Sequence, residues 1–136
     1  MKIVFLFVTL AFYTGTECSG QHFIGLEKSA TESLVKKEMK DLNLDESSKN
    51  VQFNYLKFVN SIGTKTFIVF FDEKNISVST RMICDFSELN FMQNELNKKY
   101  KKTGKNSWEY IADNNKIEII LEKKEWYFIV STKKKQ

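Results

Sequence analysis

The apolar residues of the central and C-terminal sequence fall into short alternating runs separated by clusters of Asn, Asp, Gly, Ser and Lys. Val51, Phe53 and Tyr55 alternate with Gln52 and Asn54, the period of a half-buried strand. The phase then slips at Leu56 and Phe58, which predicts a bulge or strong twist near Tyr55. Thr66–Phe71 is apolar on both faces, as a central strand would be, and Ile76, Val78, Thr80 and Met82 mark a third strand. Turns are expected at Asn60–Thr64 and Asp72–Asn75. Three further strands follow, Trp108–Ala112, Lys116–Glu122 and Trp126–Thr132, with turns at Asp113–Asn115 and Lys123–Glu125. Ile117, Ile119 and Leu121 share one face while Glu118 and Glu122 lie on the other. Lys133–Gln136 reads as a frayed tail.

Two segments carry helical spacing instead. Leu34, Val35, Met39 and Leu42 predict a helix from about Ala30 to Asp41, with Ser29-Ala30-Thr31-Glu32 as a capping box. Asp85-Phe86-Ser87-Glu88 is a second such box, and Leu89, Met92, Leu96 and Tyr100 form the stripe behind it. Lys98, Lys99, Lys101 and Lys102 sit where cations complement the helix dipole, and Gly104 fits the C′ position. The order is helix and three strands, twice. It predicts an α+β fold, two helices on one face of a largely antiparallel sheet, and admits an αβββ-αβββ pseudo-repeat although identity between the halves is slight.

The start changes the picture of compartment. Lys2, the apolar run Ile3–Tyr13 and the small exit residues Ser19-Gly20 have the parts of a secretory signal peptide. The run is too short to cross a bilayer. Residues 1–20 are therefore expected to be removed, leaving residues 21–136 as one domain, secreted or periplasmic, with Gln21 at its start. Lipidation of Cys18 is an alternative, though Thr16 and Glu17 make a poor lipobox. Only Cys84 would survive cleavage, so the fold must rest on its apolar core; Met82-Ile83 beside it predict a buried, inert thiol.

Charge is uneven. The +4 of the whole chain divides into −2 for Gln21–Glu95 and +6 for Leu96–Gln136, where eleven lysines face five acids. The lysine-rich stretch with Trp108, Tyr110 and Trp126 has a superficial look of nucleic-acid binding. Arg81 is the single arginine, however, and planar bidentate recognition favours arginine, so nucleic acid is not the expected partner. An enzyme reading finds little. His22 is the one histidine and lies at the expected mature terminus, where chains are usually mobile. No metal-ligand spacing or Gly-rich phosphate loop occurs, so no cofactor is expected. Asp72-Glu73 suits a solvated turn. Glu109, Glu118 and Glu122 could meet across strands, but interleaved Lys116, Lys123 and Lys124 favour cross-strand charge pairing. Asn75-Ile76-Ser77 is a glycosylation sequon in a predicted turn.

Trp108, Tyr110, Trp126 and Tyr127 are the candidate partner-binding residues, weighed against plain core packing. The strand Trp126–Val130 is apolar on both faces, so if helices cover one face, Tyr127 and Ile129 need another partner. Leu96-Asn97-Lys98-Lys99-Tyr100, Trp108-Glu109-Tyr110 and Glu125-Trp126-Tyr127-Phe128 resemble small exported proteins of Bacteroidota without assigned activity. The resemblance covers about the last third of the chain and implies a periplasmic or surface location and no catalytic residues. The expectation is a binding protein whose partner is a protein, a peptide or an anionic glycan. The alternatives are a small hydrolase with a carboxylate site and a structural part of the cell envelope.

Overall fold

A computed structural model describes residues 20–48 and 54–136. After a 3-10 turn at Gly20–Phe23, helix α1 (Lys28–Glu38) is followed by strands β1 (Leu42–Leu44), β2 (Tyr55–Asn60), β3 (Lys65–Phe71) and β4 (Ser77–Asp85). A second 3-10 turn, Phe86–Glu88, leads into α2 (Leu89–Lys99) and strands β5 (Lys101–Gly104), β6 (Ser107–Ala112), β7 (Asn115–Lys123) and β8 (Tyr127–Lys134). The strands form one antiparallel sheet in the order β1-β2-β3-β4-β8-β7-β6-β5. The protein is thus α+β and mostly sheet. Four strands follow each helix rather than the three expected. The expected leader lies outside the described residues up to residue 19, as do Val51 and Phe53 of the expected first strand.

One face of the sheet carries the core. Leu56 and Phe58, Phe67 and Val69, Met82 and Cys84, Ile119 and Leu121, and Phe128 and Val130 all point to it and are buried. The period-2 alternation of each strand does this work. α1 adds Val35, with Leu34 half-buried, and α2 adds Leu89, Met92 and Leu96. Met39 and Leu42 of the expected first stripe are buried too, but the helix ends at Glu38 rather than near Asp41. Met39 is left as its cap and Leu42 lies in β1, while Tyr100 lies just past α2. Cys84 is 1% exposed, the buried thiol that its neighbours predict.

Both helix starts differ from the expected capping boxes. α1 begins at Lys28, and its first turn is tied to the β3–β4 turn by Lys28 N donating to Asn75 O at 3.0 Å and by a bridge between Glu27 and Ile76. A strand-turn carbonyl thereby satisfies one of the first-turn amides that have no partner within the helix, and Thr31 N donates to Glu27 O at 2.9 Å, so the helix starts before Ser29. At the second helix, Asp85 Oδ2 accepts from Ser87 N at 3.0 Å, capping the 3-10 turn rather than an α-helix, and Glu88 makes no reciprocal bond.

The described part of β2 pairs with β3 without interruption, and a register shift falls between Phe70 and Phe71, opposite Ser77–Ser79. The phase slip expected near Tyr55 involves Val51 and Phe53, which lie outside the described residues. Three further expectations are corrected. Lys101 and Lys102 do not close the helix. Tyr100 is already extended, and Lys101–Gly104 pairs with β6 as an edge strand. Gly104 lies at a bulge there, where a Cβ would sit 2.6 Å from Ser107 Oγ. The C-terminal lysines are not frayed: β8 runs to Lys134, and Lys135 N donates to Lys116 O at 2.8 Å. Nor is the segment after residue 20 loose. Phe23 is fully buried against Phe67, and Ser77 Oγ holds it by donating to Phe23 O while accepting from Leu26 N at 2.8 Å. His22 Nε2 pairs with Glu38 of α1.

Candidate functional site

With both helical stripes on one face, the other face of the sheet is left uncovered by either helix. Tyr55, Val59, Ile68, Phe70, Ile83 and Ile129 lie on it half-buried, with Ile120 and Tyr127 more exposed. The register puts Ile83 directly across from Ile129, and Tyr55 across from Phe70 with ring centroids 6.2 Å apart. Arg81 lies over the Phe70 ring at 5.9 Å, its stem covering apolar area while its charge stays wet. The β2–β4 side of this face therefore has an apolar majority, with Lys57, Thr66, Ser79 and Arg81 set among it.

At one end of the sheet the apolar character reaches the rim. Asn60–Thr64 makes a tight turn in which Asn60 Oδ1 accepts from Lys65 N at 2.9 Å, and Gly63 takes a φ of 73° that an L side chain would resist. The turn leaves Ile62 77% exposed. Asp85 N donates to Thr64 O at 3.1 Å, and Phe86 N donates to Trp126 O at 3.2 Å. Three segments are thus laced together by backbone hydrogen bonds. They carry Ile62, Phe86, Trp126 (75% exposed) and Tyr127 (41% exposed) at the same end. Below the rim, Glu122 accepts from Lys124 at 2.5 Å, which lowers the carboxyl pKa and raises that of the ammonium. The bonds from the Ser87 hydroxyl and amide lower the Asp85 pKa.

The four aromatic residues expected from sequence are not brought together. Trp126 and Tyr127 are at the rim. Trp108 is 1% exposed on the inner face, its Nε1 donating to Asn97 Oδ1 of α2 at 2.9 Å. Tyr110 shares that inner face, half-buried beside Tyr100 with centroids 5.1 Å apart. Burial first, and Tyr100 second, push its hydroxyl pKa well above the ordinary tyrosine range. Trp108 and Tyr110 therefore belong to packing. Ile62 and Phe86 take their places at the exposed end, and an isolated apolar residue inside a predicted turn or cap was the only sequence signal for either.

Two of the three carboxylates expected to meet across strands do so, while Glu122 lies farther along β7 opposite Ile129. Glu109 and Glu118 are directly opposite on the uncovered face, and Glu118 is opposite Lys133. Glu109 lies among Lys101, Lys116 and Lys135 at 3.8–3.9 Å, so cross-strand charge pairing describes the pair. No group of three or more His, Cys, Asp or Glu residues suited to a metal occurs among the described residues. No helix among them is long and apolar enough to cross a membrane. Comparison with protein-family models, characterised proteins and solved structures finds no match for this chain.

Proposed function

We propose that this is an exported binding protein that holds a partner protein or peptide against the uncovered face of its sheet. Ile62, Phe86, Trp126 and Tyr127 serve as apolar anchors at the rim. The observation that carries this reading is the rim itself. Four large apolar side chains stand exposed on segments joined by backbone hydrogen bonds, next to a sheet face that neither helix covers. Aromatic anchors presented on a rigid frame supply much of the energy of many interfaces. A frame already ordered by its own hydrogen bonds also loses little entropy on binding. Nothing in the arrangement of Glu109 and Glu118 favours hydrolysis, since three ammoniums surround the first and Lys133 stands opposite the second. The test is site-specific photo-crosslinking in the native cells, with the reactive group placed at Ile62 or Tyr127 and, as a control, at Lys37 on the exposed side of α1. A discrete adduct from the first two positions and none from Lys37 is the expected result. Equal adducts from all three, or none from the rim, refute the proposal.

A further inference from the structure

We infer that the β5–β8 side of the uncovered face is a second, separate site that binds a linear acidic polysaccharide. One register row crosses four strands as Lys133, Glu118, Glu109 and Lys101. Lys116 and Lys135 lie beside it, joined by the bond from Lys135 N to Lys116 O. At about 4.8 Å between strands the row is about 14 Å across. Four ammoniums face two carboxylates, so the patch is net positive, and it contains much of the excess of lysine found after Leu96. It is also remote from the rim. Tyr127 and Lys133 stand six residues apart on β8, which at about 3.3 Å per residue separates the two sites by about 20 Å.

Glu109 organises the patch. Its side chain is only 13% exposed, while those of Lys101, Lys116 and Lys135 are 79%, 50% and 46% exposed. All three nitrogens stand 3.8–3.9 Å from its carboxylate, beyond the reach of a direct hydrogen bond. The carboxylate therefore gathers the ammoniums by charge without consuming their N–H donors, which remain available to an incoming anion. Lysine presents a hydrated point charge with rotatable donors and not a planar fork, so such a row recognises repeated charge rather than one shaped group.

That chemistry selects among polyanions. Single-stranded nucleic acid gains much of its affinity from bases stacked on exposed aromatic rings. This row has none: Trp126 and Tyr127 are at the rim, and Trp108 and Tyr110 belong to the inner face. A polysaccharide with a sulfate or carboxylate on successive sugars needs only a row of donors with matching charge, which is what the strand register provides.

The experiment measures binding of a fluorescent heparin oligosaccharide to the full chain at about 50 and about 200 mM salt, the range over which counterion release dominates. Three proteins are compared: the natural sequence, Lys101→Glu/Lys135→Glu, and the control Lys36→Glu/Lys37→Glu on α1, which changes net charge equally. The expected result is a loss of about tenfold or more for the patch variant, against less than about threefold for the control, with salt weakening the natural protein most. Should charge reversal beside Glu109 unfold the chain by circular dichroism, Lys101→Gln/Lys135→Gln replaces it, with an expected loss of at least about threefold. Equal losses in patch and control variants would show attraction by overall charge alone and overturn the site. A single-stranded oligonucleotide of equal charge binding as tightly as heparin would overturn the polysaccharide assignment. Failure of either kind leaves crosslinking at the rim unaffected.

Discussion

Replacing Trp108 and Trp126 in turn by alanine separates packing from presentation. Trp108 is 1% exposed and bridges β6 to α2 through Asn97, whereas Trp126 is 75% exposed beside the β7–β8 turn. Burying an aromatic ring this fully makes Trp108→Ala cost about 3–5 kcal/mol, from lost transfer energy and the cavity left behind. The lost hydrogen bond adds only about 0.5–1.5 kcal/mol, because Asn97 is exposed and its carboxamide returns to water. A domain of this length has about 5–15 kcal/mol in all, so the substitution removes a large share of the stability. With a urea m-value of about 2 kcal/mol/M, the middle of the usual range, the unfolding midpoint should fall by about 1.5–3 M, followed by circular dichroism because the remaining Trp126 is a poor reporter of the core. Trp126→Ala should stay within about 0.5 kcal/mol of the natural protein. Equal losses for the two variants, or a loss under about 1 kcal/mol for Trp108→Ala, would refute the assignment of Trp108 to packing.

Cys84 should react slowly with a thiol reagent in the native state and completely in denaturant; fast native labelling would contradict its 1% exposure. The raised pKa of Tyr110 stabilises the fold below the ordinary tyrosine pKa of about 10, and that contribution is lost as pH rises above it. Tyr110→Phe should therefore flatten the alkaline fall in urea midpoint, and an unchanged alkaline limb would count against the burial of the hydroxyl. The lowered pKa values of Asp85 and Glu122 act at the other extreme: their contribution is present above the ordinary carboxyl range and disappears as pH falls through the folded values. Asp85→Asn should reduce the slope of stability against pH below about 4, measured as midpoints from pH 5 to 3.

Much of the sheet was legible because strands alternate with a period of two. Ile117, Ile119 and Leu121 turned to the core and Glu118 and Glu122 away from it, and Tyr127 and Ile129 reached the uncovered face that the same parity implies. The two edge strands were not legible. Leu42–Leu44 is too short to show a period, and Lys101–Gly104 contains no apolar side chain. Both owe their conformation to a neighbouring strand, which no local pattern reports. The same limit applied to Trp108 and Tyr110: alternation says they share a face, but only the contact with Asn97 on α2 says which. No local pattern marks Ile62 or Phe86, because their exposure comes from the lacing of three turns, a tertiary fact.

An eight-stranded sheet with an uncovered face invites self-association, and the distribution of charge on that face decides against it. Two copies meeting face to face about a two-fold axis have two broad options. The charged β5–β8 side of one meets the same side of the other, or it meets the apolar β2–β4 side. In the first arrangement two net-positive patches of four lysines and two glutamates oppose each other, and like charges face to face are destabilising. In the second, Lys101, Lys133 and their neighbours are pressed onto Tyr55, Ile68 and Phe70, where removing an ammonium from water costs several kcal/mol without a new counter-charge. The exposed edges give no easier route, because β5 is short, bulged and led by two lysines. The protein should therefore remain monomeric in sedimentation velocity at about 100 μM and moderate salt, with no change on Ile68→Ser. A stable dimer dissociated by Ile68→Ser would refute this argument, and with it the idea that the face is kept for a different molecule.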